Sequence, residues 1–524
     1  MRLSRLSLTR TNVLLWLAGG SIVVVSLAHG DGTPGGARWA LMAIIAAVAA
    51  LFLAVHLFRK STVRISEPHC FALLLYGYAL FSLLWSSDSK QGGYQLLNAL
   101  GPLAAFFIAP YIARAVPLAL AAAMVLAVLL AGVLPPETYG GFGNENFIAS
   151  FLLIAAPFAF LAPVGAFLAP SIAALYLLGW NPSKQEFFVA LVAGFGLLGW
   201  GTWNKTIKRR YVAVVVPIVG VALWLAWPLY SGSVVPRAEI WVDTLGLISQ
   251  SPVWGHGFGS FMYEFPRLQE FHTNVFASWG IQQTGVAHHA GAVHNEYLQI
   301  VAELGLVGLA LAGWFVWTCI KARRKGGIYL AALGSLGIAA VIAVIDFPTQ
   351  NAATAMLIAL ALGILAGRGG EIEVSKAVRF GGAGVLMVVV FAALVLAGSS
   401  YLAQIQMAMS LSALGRGNEA QAVNWNEKAR QQLDWDWRIR IQYPLTLASY
   451  MKHNDIRNPT VQDHYYRVGQ SASPNFPALL VIRFEDLLNT ERNPDEAADV
   501  VRRLKAQTPK RAVSQLRDIE RFIQ

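Results

Sequence analysis

The chain has 524 residues, of which 56% are hydrophobic and only 13% are charged, and its formal net charge is +11. Soluble domains carry about 25% charged residues, so this composition excludes an ordinary water-soluble protein. Apolar runs of about 20 residues, the length that crosses a bilayer, recur from Leu14 to Ala397. The sequence therefore predicts an all-α polytopic membrane protein, because a membrane β-barrel would show short alternating segments instead.

Hydropathy predicts thirteen membrane-spanning helices. The first follows a basic head and also fits a signal peptide, but the dozen spans that follow favour an uncleaved helix. In chain order the spans lie near 12–28, 38–57, 68–86, 96–113, 117–134, 147–162, 165–180, 186–202, 211–230, 295–320, 328–346, 350–366 and 380–398.

The Lys and Arg residues predict the orientation of these spans. With the N-terminus in the cytoplasm, the inside segments hold 18 Lys and Arg, and all outside loops before residue 400 hold five. These inside segments are the N-terminus, the turn at Arg114, and 58–64, 204–210, 321–327 and 367–379. Cytoplasmic loops carry such an excess of positive charge, so the net charge reflects topology and not nucleic-acid binding. We therefore predict a transmembrane domain at 1–400 with a large periplasmic loop at 231–294, and a periplasmic helical domain at 401–524.

The polar tail after Ser400 contains three similar stretches, at 415–436, 457–476 and 491–511. Each has a polar turn, a helical pattern and a terminating residue, and the terminating residues lie 38 and 35 residues apart. This spacing is close to the tetratricopeptide period of about 34 residues. We predict tetratricopeptide-like helix pairs that bind a protein partner or pack on the chain's own membrane domain; a plain helical cap is the alternative.

Polar residues cluster at the start of the predicted span 295–320. Asn295, Gln299 and Glu303 follow at i, i+4 and i+8 and so share one helix face, directly after His294. A helix N-terminus attracts anions such as phosphate, and histidine exchanges protons near neutral pH. The pattern suits a membrane-surface site for a phosphorylated substrate. The alternatives are an interfacial residue at His294 and, at Glu303, a carboxylate that fastens a loop.

Three other outside segments have unusual polar residues. In "GGFGNENFIAS" (140–150), Asn144 and Asn146 can cap a helix or bind hydroxyls, and "NPSKQEFF" (181–188) places Lys184 at a helix start. "VPRAEIWVDTLGLISQSPVWGHGFGSF" (235–261) joins Arg237 to a Gly-rich turn. No strand–turn–helix pattern surrounds these glycines, so we do not interpret them as a nucleotide fingerprint.

The sequence predicts neither a metal nor a cofactor. No Cys/His cluster has zinc spacing, and there is no P-loop and no Gly-x-Ser-x-Gly elbow. The first 400 residues contain only four Asp, so paired acids for a metal are scarce. A pairing of Asp88 with Glu137 or Glu145 remains the alternative.

Four blocks, "GFGNENFIAS", "PSKQ", "RAEIWVDTLGLISQSPVWGHGFGSF" and "HNEYLQIVAELGLVG", occur in this order. Together they resemble the O-antigen ligase and polymerase superfamily over roughly residues 70–366. The resemblance implies a GT-C-like enzyme of the bacterial inner membrane that transfers a glycan from undecaprenyl diphosphate at the periplasmic face, among membrane lipids and without a metal. Ligases use lipid A–core as the acceptor, polymerases extend a growing glycan, and other relatives glycosylate a protein hydroxyl.

The resemblance also implies roles for individual residues. His294 matches the catalytic histidine of the family and Arg237 its loop arginine. Lys184 stands where the family has a second arginine after a serine, and lysine keeps the charge but lacks the bidentate fork. Together with Lys184, the residues Asn144, Asn146, Asn295 and Glu303 are then the candidates for substrate binding.

Two other classes of protein would also explain parts of the sequence. A transporter or flippase for a lipid-linked substrate predicts inverted repeats and broken helices at mid-membrane, whereas the polar groups here cluster at one face. A membrane scaffold that displays a repeat domain would explain the tail but not the polar helix starts.

Overall fold

The structure is a computed structural model. It describes residues 62–114, 116–133, 145–159, 161, 237–265, 292–322, 325–367, 370–373, 375–435, 437–454, 459–472, 480, 483, 487 and 494–507. The predicted spans 12–28, 38–57, 165–180, 186–202 and 211–230 lie outside these residues.

The described part of the chain is helical wherever a span was predicted within it. In chain order the helices are α1 (Glu67–Ser82), α2 (Ser89–Ile112), α3 (Val116–Val133), α4 (Glu145–Ala159), α5 (237–250), α6 (Phe261–Glu264), α7 (Glu296–Ala322), α8 (Gly327–Ile345), α9 (Ala352–Ala366), α10 (Lys376–Gly415), α11 (Glu419–Gln432), α12 (Trp437–His453), α13 (Pro459–Ala472) and α14 (Pro494–Gln507). A single 3₁₀ turn, Pro348–Gln350, links α8 to α9.

The apolar helices have the properties of membrane spans. Among the described residues, α2, α7 and α8 are long and apolar enough to cross a bilayer, and α9 is a shorter apolar helix, as is 147–159 within α4. Large apolar side chains project outward from α10, where Val388 is 69% and Phe391 70% exposed. Contiguous exposed apolar surface of this kind indicates contact with lipid or protein. The protein is an α-helical polytopic membrane protein, as predicted.

A short antiparallel ribbon adds strand structure that hydropathy did not predict. β1 (Thr62–Ile65) pairs with β2 (Gly370–Glu373), with Thr62 opposite Glu373 and Ile65 opposite Gly370. The ribbon joins the ends of the predicted inside segments 58–64 and 367–379. Their pairing agrees with the assignment of both segments to the same side of the membrane.

The chain divides into two compact units. The first contains residues 1–75, 97–230 and 311–398, and its core packs small and branched residues of α3, α4, α8 and α9. Within it, the Ser335 hydroxyl on α8 donates a hydrogen bond of 2.7 Å to the carbonyl of Ile154 on α4. Gly363 on α9 lies so close to α2 that a Cβ atom would come within 2.1 Å of the Phe106 carbonyl oxygen.

The second unit contains residues 76–96, 231–310 and 399–524. These ranges hold three segments that the charge pattern assigns to the outside: the short loop before α2, the large loop and the tail. In the tail, each of the three similar stretches contains a helix of 14 residues. The tetratricopeptide repeat itself stays a prediction.

Candidate active site

The helix that carries the polar cluster is not continuous. Gly305 has φ 68° and ψ −172°, which breaks α7 into a polar segment at 296–304 and an apolar segment after it. The amides of Leu306 and Val307, which follow the break, donate to the carbonyls of Pro252 (2.9 Å) and Val253 (3.2 Å). Within the predicted span 295–320 the helix is therefore broken at Gly305, which hydropathy did not predict. The polar residues precede the apolar helix because the backbone turns between them.

The Gly-rich turn packs against this break. Gly255, Gly257 and Gly259 all have positive φ, at 69°, 91° and 78°. The amide of Gly257 donates to the Glu303 carbonyl at 2.8 Å. A Cβ atom on Gly255 would lie 2.4 Å from the Glu303 backbone. Glycine is required here both for its backbone conformation and for the close approach of the two segments.

Glu303 connects the turn to the start of α7. Its carboxylate is buried and accepts hydrogen bonds from the amide of Gly259 (2.9 Å) and from the side chain of Gln299 (3.2 Å). The Gln299 side-chain oxygen in turn accepts from the amide of Val293 at 3.3 Å. Gln299 and Glu303 thus share one helix face, and these contacts fasten the loop to the helix.

His294 stands in a constrained backbone position at the start of the same helix. It has φ 53°, the left-handed conformation that few residues other than glycine adopt. The preceding Val293 is held on both sides, because its carbonyl also accepts from the Trp241 indole at 3.1 Å. The following Asn295 accepts from the amide of Leu298 at 3.0 Å and so caps the helix. The backbone around the half-buried His294 is therefore fixed by hydrogen bonds on both sides.

Arg237 lies on the helix that contacts this segment. It is the first described residue of α5 and is half-buried, and Trp241 follows one helical turn later. Residues at i and i+4 share a helix face, so Arg237 lies on the face of α5 whose Trp241 binds the residue before His294. Ile240 on α5 also packs with Val293 in a buried apolar cluster. The helix that carries Arg237 therefore contacts the residue that precedes His294.

The other predicted site residues are placed differently. Asn146 lies in the first turn of α4, in the first unit. Asn144 and Lys184 lie outside the described residues. The grouping of these three residues with His294 stays a prediction.

Sequence reasoning missed the turn between α1 and α2, which supports the Gly-rich turn. The amide of Phe258 donates to the Ser82 hydroxyl at 3.0 Å, and the Ser86 hydroxyl donates to the Phe258 carbonyl at 3.0 Å. The Ser87 hydroxyl bonds to the carboxylate of Glu264. Serine and aspartate are common helix caps, and "WSSDS" (85–89) before a helix was the signal available.

Asp88 closes this turn and caps α2. Its carboxylate accepts a hydrogen bond from the amide of Gln91 at 3.1 Å, and its two oxygens accept from one terminal nitrogen of Arg440 at 2.9 and 2.7 Å. Burial raises the pKa of Asp88 above its ordinary value, and the charge and hydrogen bonds of Arg440 oppose that rise. Asp88 is therefore engaged by an arginine of the tail, and its pairing with Glu137 or Glu145 lies outside the described side chains.

Two adjacent glycines of α2 provide a direct test of this packing. A Cβ atom on Gly92 would lie 2.2 Å from the Phe258 carbonyl oxygen, whereas one on Gly93 would meet nothing closer than 3.8 Å. We expect Gly92→Ala to displace the Gly-rich turn and to cost about 1–3 kcal/mol of stability. Gly93→Ala should be neutral or stabilising, because alanine favours a helix by up to about 1 kcal/mol. Thermal unfolding of the two purified variants in detergent compares them, and equal melting temperatures would contradict the observed contact.

The fold and these contacts define a class: a helical membrane protein in which helix α5, beginning at Arg237, packs against the residue before His294. The model of the family described as O-antigen ligase matches residues 169–313, a range that includes Lys184, Arg237, His294 and Glu303. Residues 169–313 are thus similar to the O-antigen ligase family, in agreement with the resemblance that the motifs indicated. This family implies glycosyl transfer between a lipid-linked glycan and an acceptor. The comparison with curated proteins gives no match.

Proposed function

We propose that this protein transfers a glycan from an undecaprenyl diphosphate carrier to lipid A–core at the periplasmic face of the inner membrane. The family supports ligase or polymerase chemistry in general. The observation that carries the proposal is the double anchoring of Val293 by Trp241 and Gln299. These two hydrogen bonds hold Val293, the residue before His294, against helix α5, which begins at Arg237.

The donor chemistry assigns the roles of these residues. A sugar on diphosphate already has a good leaving group, so the enzyme must neutralise the developing charge and remove a proton from the acceptor hydroxyl. Arg237 and Lys184 neutralise the diphosphate, and His294 accepts the hydroxyl proton. The acceptor oxygen forms its bond to the anomeric carbon as the bond to the diphosphate breaks, which inverts the configuration.

The remaining residues position these groups. Glu303 and Asn295 act on the backbone around His294, because one fastens the Gly-rich turn and the other caps the helix. Asn144 and Asn146 contribute hydroxyl-binding groups. The prenyl chain of the donor lies against helices that open to lipid.

The test of the proposal is transfer in vitro from a defined undecaprenyl diphosphate glycan to purified lipid A–core. It is paired with analysis of envelope glycans after deletion of the gene. Loss of long-chain lipopolysaccharide with accumulation of the lipid-linked glycan supports the ligase. Lipid A–core capped with single repeats indicates a polymerase instead, and an unglycosylated protein indicates a protein transferase.

Orientation gives an independent prediction. Because the loop before α2, the large loop and the tail belong to one compact unit, they should face the same compartment, and the charge pattern makes it the periplasm. Reporter fusions at Gln250 and at Arg457 should both show periplasmic activity. A cytoplasmic signal from either fusion would contradict the proposed location of the site.

Metal independence gives another prediction. The proposed charge neutralisation uses Arg237 and Lys184, so we expect transfer to continue at an unchanged rate in EDTA. The matched control adds EDTA together with excess magnesium. Abolition by EDTA with recovery in magnesium or manganese would show instead that a metal ion holds the diphosphate.

A further inference from the structure

The tail contributes a buried cation to the second unit. On α12, Arg440 donates through one terminal nitrogen to both oxygens of Asp88, at 2.9 and 2.7 Å, and the two side chains are only 2% and 3% exposed. The other terminal nitrogen donates to the Ser471 carbonyl on α13 at 3.3 Å. Removing one partner of such a buried pair leaves an uncompensated charge, so the two residues constrain each other closely.

Asp88 in turn fixes the residues between α1 and α2 through its own hydrogen bonds. Besides capping the amide of Gln91, it donates its own amide to the Ser86 hydroxyl at 3.3 Å. That hydroxyl donates in turn to the Phe258 carbonyl at 3.0 Å. Arg440 therefore fixes the residue that orients Ser86, and Ser86 holds the Gly-rich turn.

The Gly-rich turn is connected by further hydrogen bonds to Val293, the residue before His294. Gly259, next to Phe258, donates to the Glu303 carboxylate, which accepts from Gln299, and Gln299 accepts from the amide of Val293. Each step is a hydrogen bond between buried or half-buried groups. A continuous series of contacts thus runs from the tail to the residue that precedes His294.

We propose that Arg440 is a positioning residue for glycan transfer, so that the tail is a structural part of the active site and not an appended adaptor. The inference rests on the proposed function for its catalytic readout. Arg440 touches no reacting atom and acts through Asp88 and the Gly-rich turn. Misplacement of a catalytic group by about 1 Å can cost roughly a hundredfold in rate.

A second ion pair between the same two segments is the matched control. Lys90 and Asp434 approach to 2.5 Å, but their side chains are 52% and 34% exposed. Exposed pairs contribute little to stability, and the hydrogen bond described for these two side chains joins them to each other and not to the Gly-rich turn. Asp434→Asn should therefore leave transfer unchanged.

The experiment compares four full-length variants: Arg440→Lys, Asp88→Asn, the double variant and Asp434→Asn. For each one, kcat is measured per folded molecule and KM is measured for the donor. We expect Arg440→Lys to lower kcat roughly tenfold to a hundredfold with KM for the donor unchanged. The double variant should lose no more than the worse single variant, because the two residues act through one contact. If kcat per folded Arg440→Lys molecule stays within about twofold of the parent value, or if the two losses multiply, the proposal is overturned.

Hydrogen exchange of the amides in 253–265 gives a readout that needs no activity. Gly257 and Gly259 donate to Glu303, so Arg440→Lys should speed their exchange while Asp434→Asn should not. Unchanged exchange in Arg440→Lys overturns the proposed coupling. If the parent protein transfers no glycan, the proposed function fails, and the exchange measurement alone decides whether Arg440 controls the turn. If Arg440→Lys yields too little folded protein, Asp88→Asn with Arg440→Met, which removes both charges, replaces it in both measurements.

Discussion

His294→Asn is expected to insert into the membrane and bind donor as the parent protein does, and to transfer glycan roughly a hundredfold to ten-thousandfold more slowly. That range is the usual contribution of a general base. Asparagine is the informative replacement because the backbone at 294 has φ 53°, a conformation that asparagine tolerates better than most residues. The measurement is in vitro transfer per folded molecule, with donor binding measured in parallel.

His294→Ala is the companion variant. It removes the imidazole as well, but alanine is disfavoured at positive φ by about 1–2 kcal/mol, so it should lose stability in addition to activity. Comparing the two variants separates the backbone role of position 294 from its chemistry. Transfer by His294→Asn at nearly the parent rate would remove the histidine from the mechanism and leave it an interfacial residue at a helix start.

Arg237→Lys is expected to lose about tenfold to a hundredfold in kcat/KM although the charge is kept. A guanidinium holds two diphosphate oxygens at once, and a hydrogen bond to a charged group contributes about 1.5–3 kcal/mol. A lysine offers a point charge and cannot replace this fork. The measurement is the rate of transfer as a function of donor concentration, at matched levels of folded protein.

The reciprocal change, Lys184→Arg, is the control. It restores the residue that the family has at this position and should leave transfer unchanged or increase it. Equal losses of transfer activity in Arg237→Lys and Lys184→Arg would show that both positions depend on side-chain size and not on the two-point binding of a guanidinium. Full activity of Arg237→Lys would mean that this arginine does not bind the diphosphate in two places.

Hydropathy and charge, which are local properties of the sequence, determined the membrane class and most of the helices. A run such as 327–345 must be a helix in a bilayer because each backbone polar group there needs an internal partner. The distribution of Lys and Arg assigned 58–64 and 367–379 to one side, and the β1–β2 ribbon agrees with that assignment. The ordered motifs indicated a resemblance to the family, and the match at 169–313 supports it.

The tertiary structure decided what the polar residues do. Sequence spacing placed Gln299 and Glu303 on one helix face, but Glu303 finds its second partner, Gly259, 44 residues away. The break at Gly305 depends on the carbonyls of Pro252 and Val253, which supply acceptors outside the helix. The local sequence does not predict these distant hydrogen-bond partners. The same residues around a buried carboxylate are compatible with a carboxylate that accepts hydrogen bonds from a loop and with one that binds a substrate.

The pairing of Asp88 with Arg440 shows this limit most clearly. The two residues are 352 positions apart, and from sequence one was a candidate for a metal site and the other an unremarked residue of the tail. Burial makes each charge depend on the other, since neither can be removed from water without a partner. Only the folded chain shows that the tail helix α12 and the turn before α2 provide those partners, and so connect the last quarter of the sequence to the neighbourhood of His294.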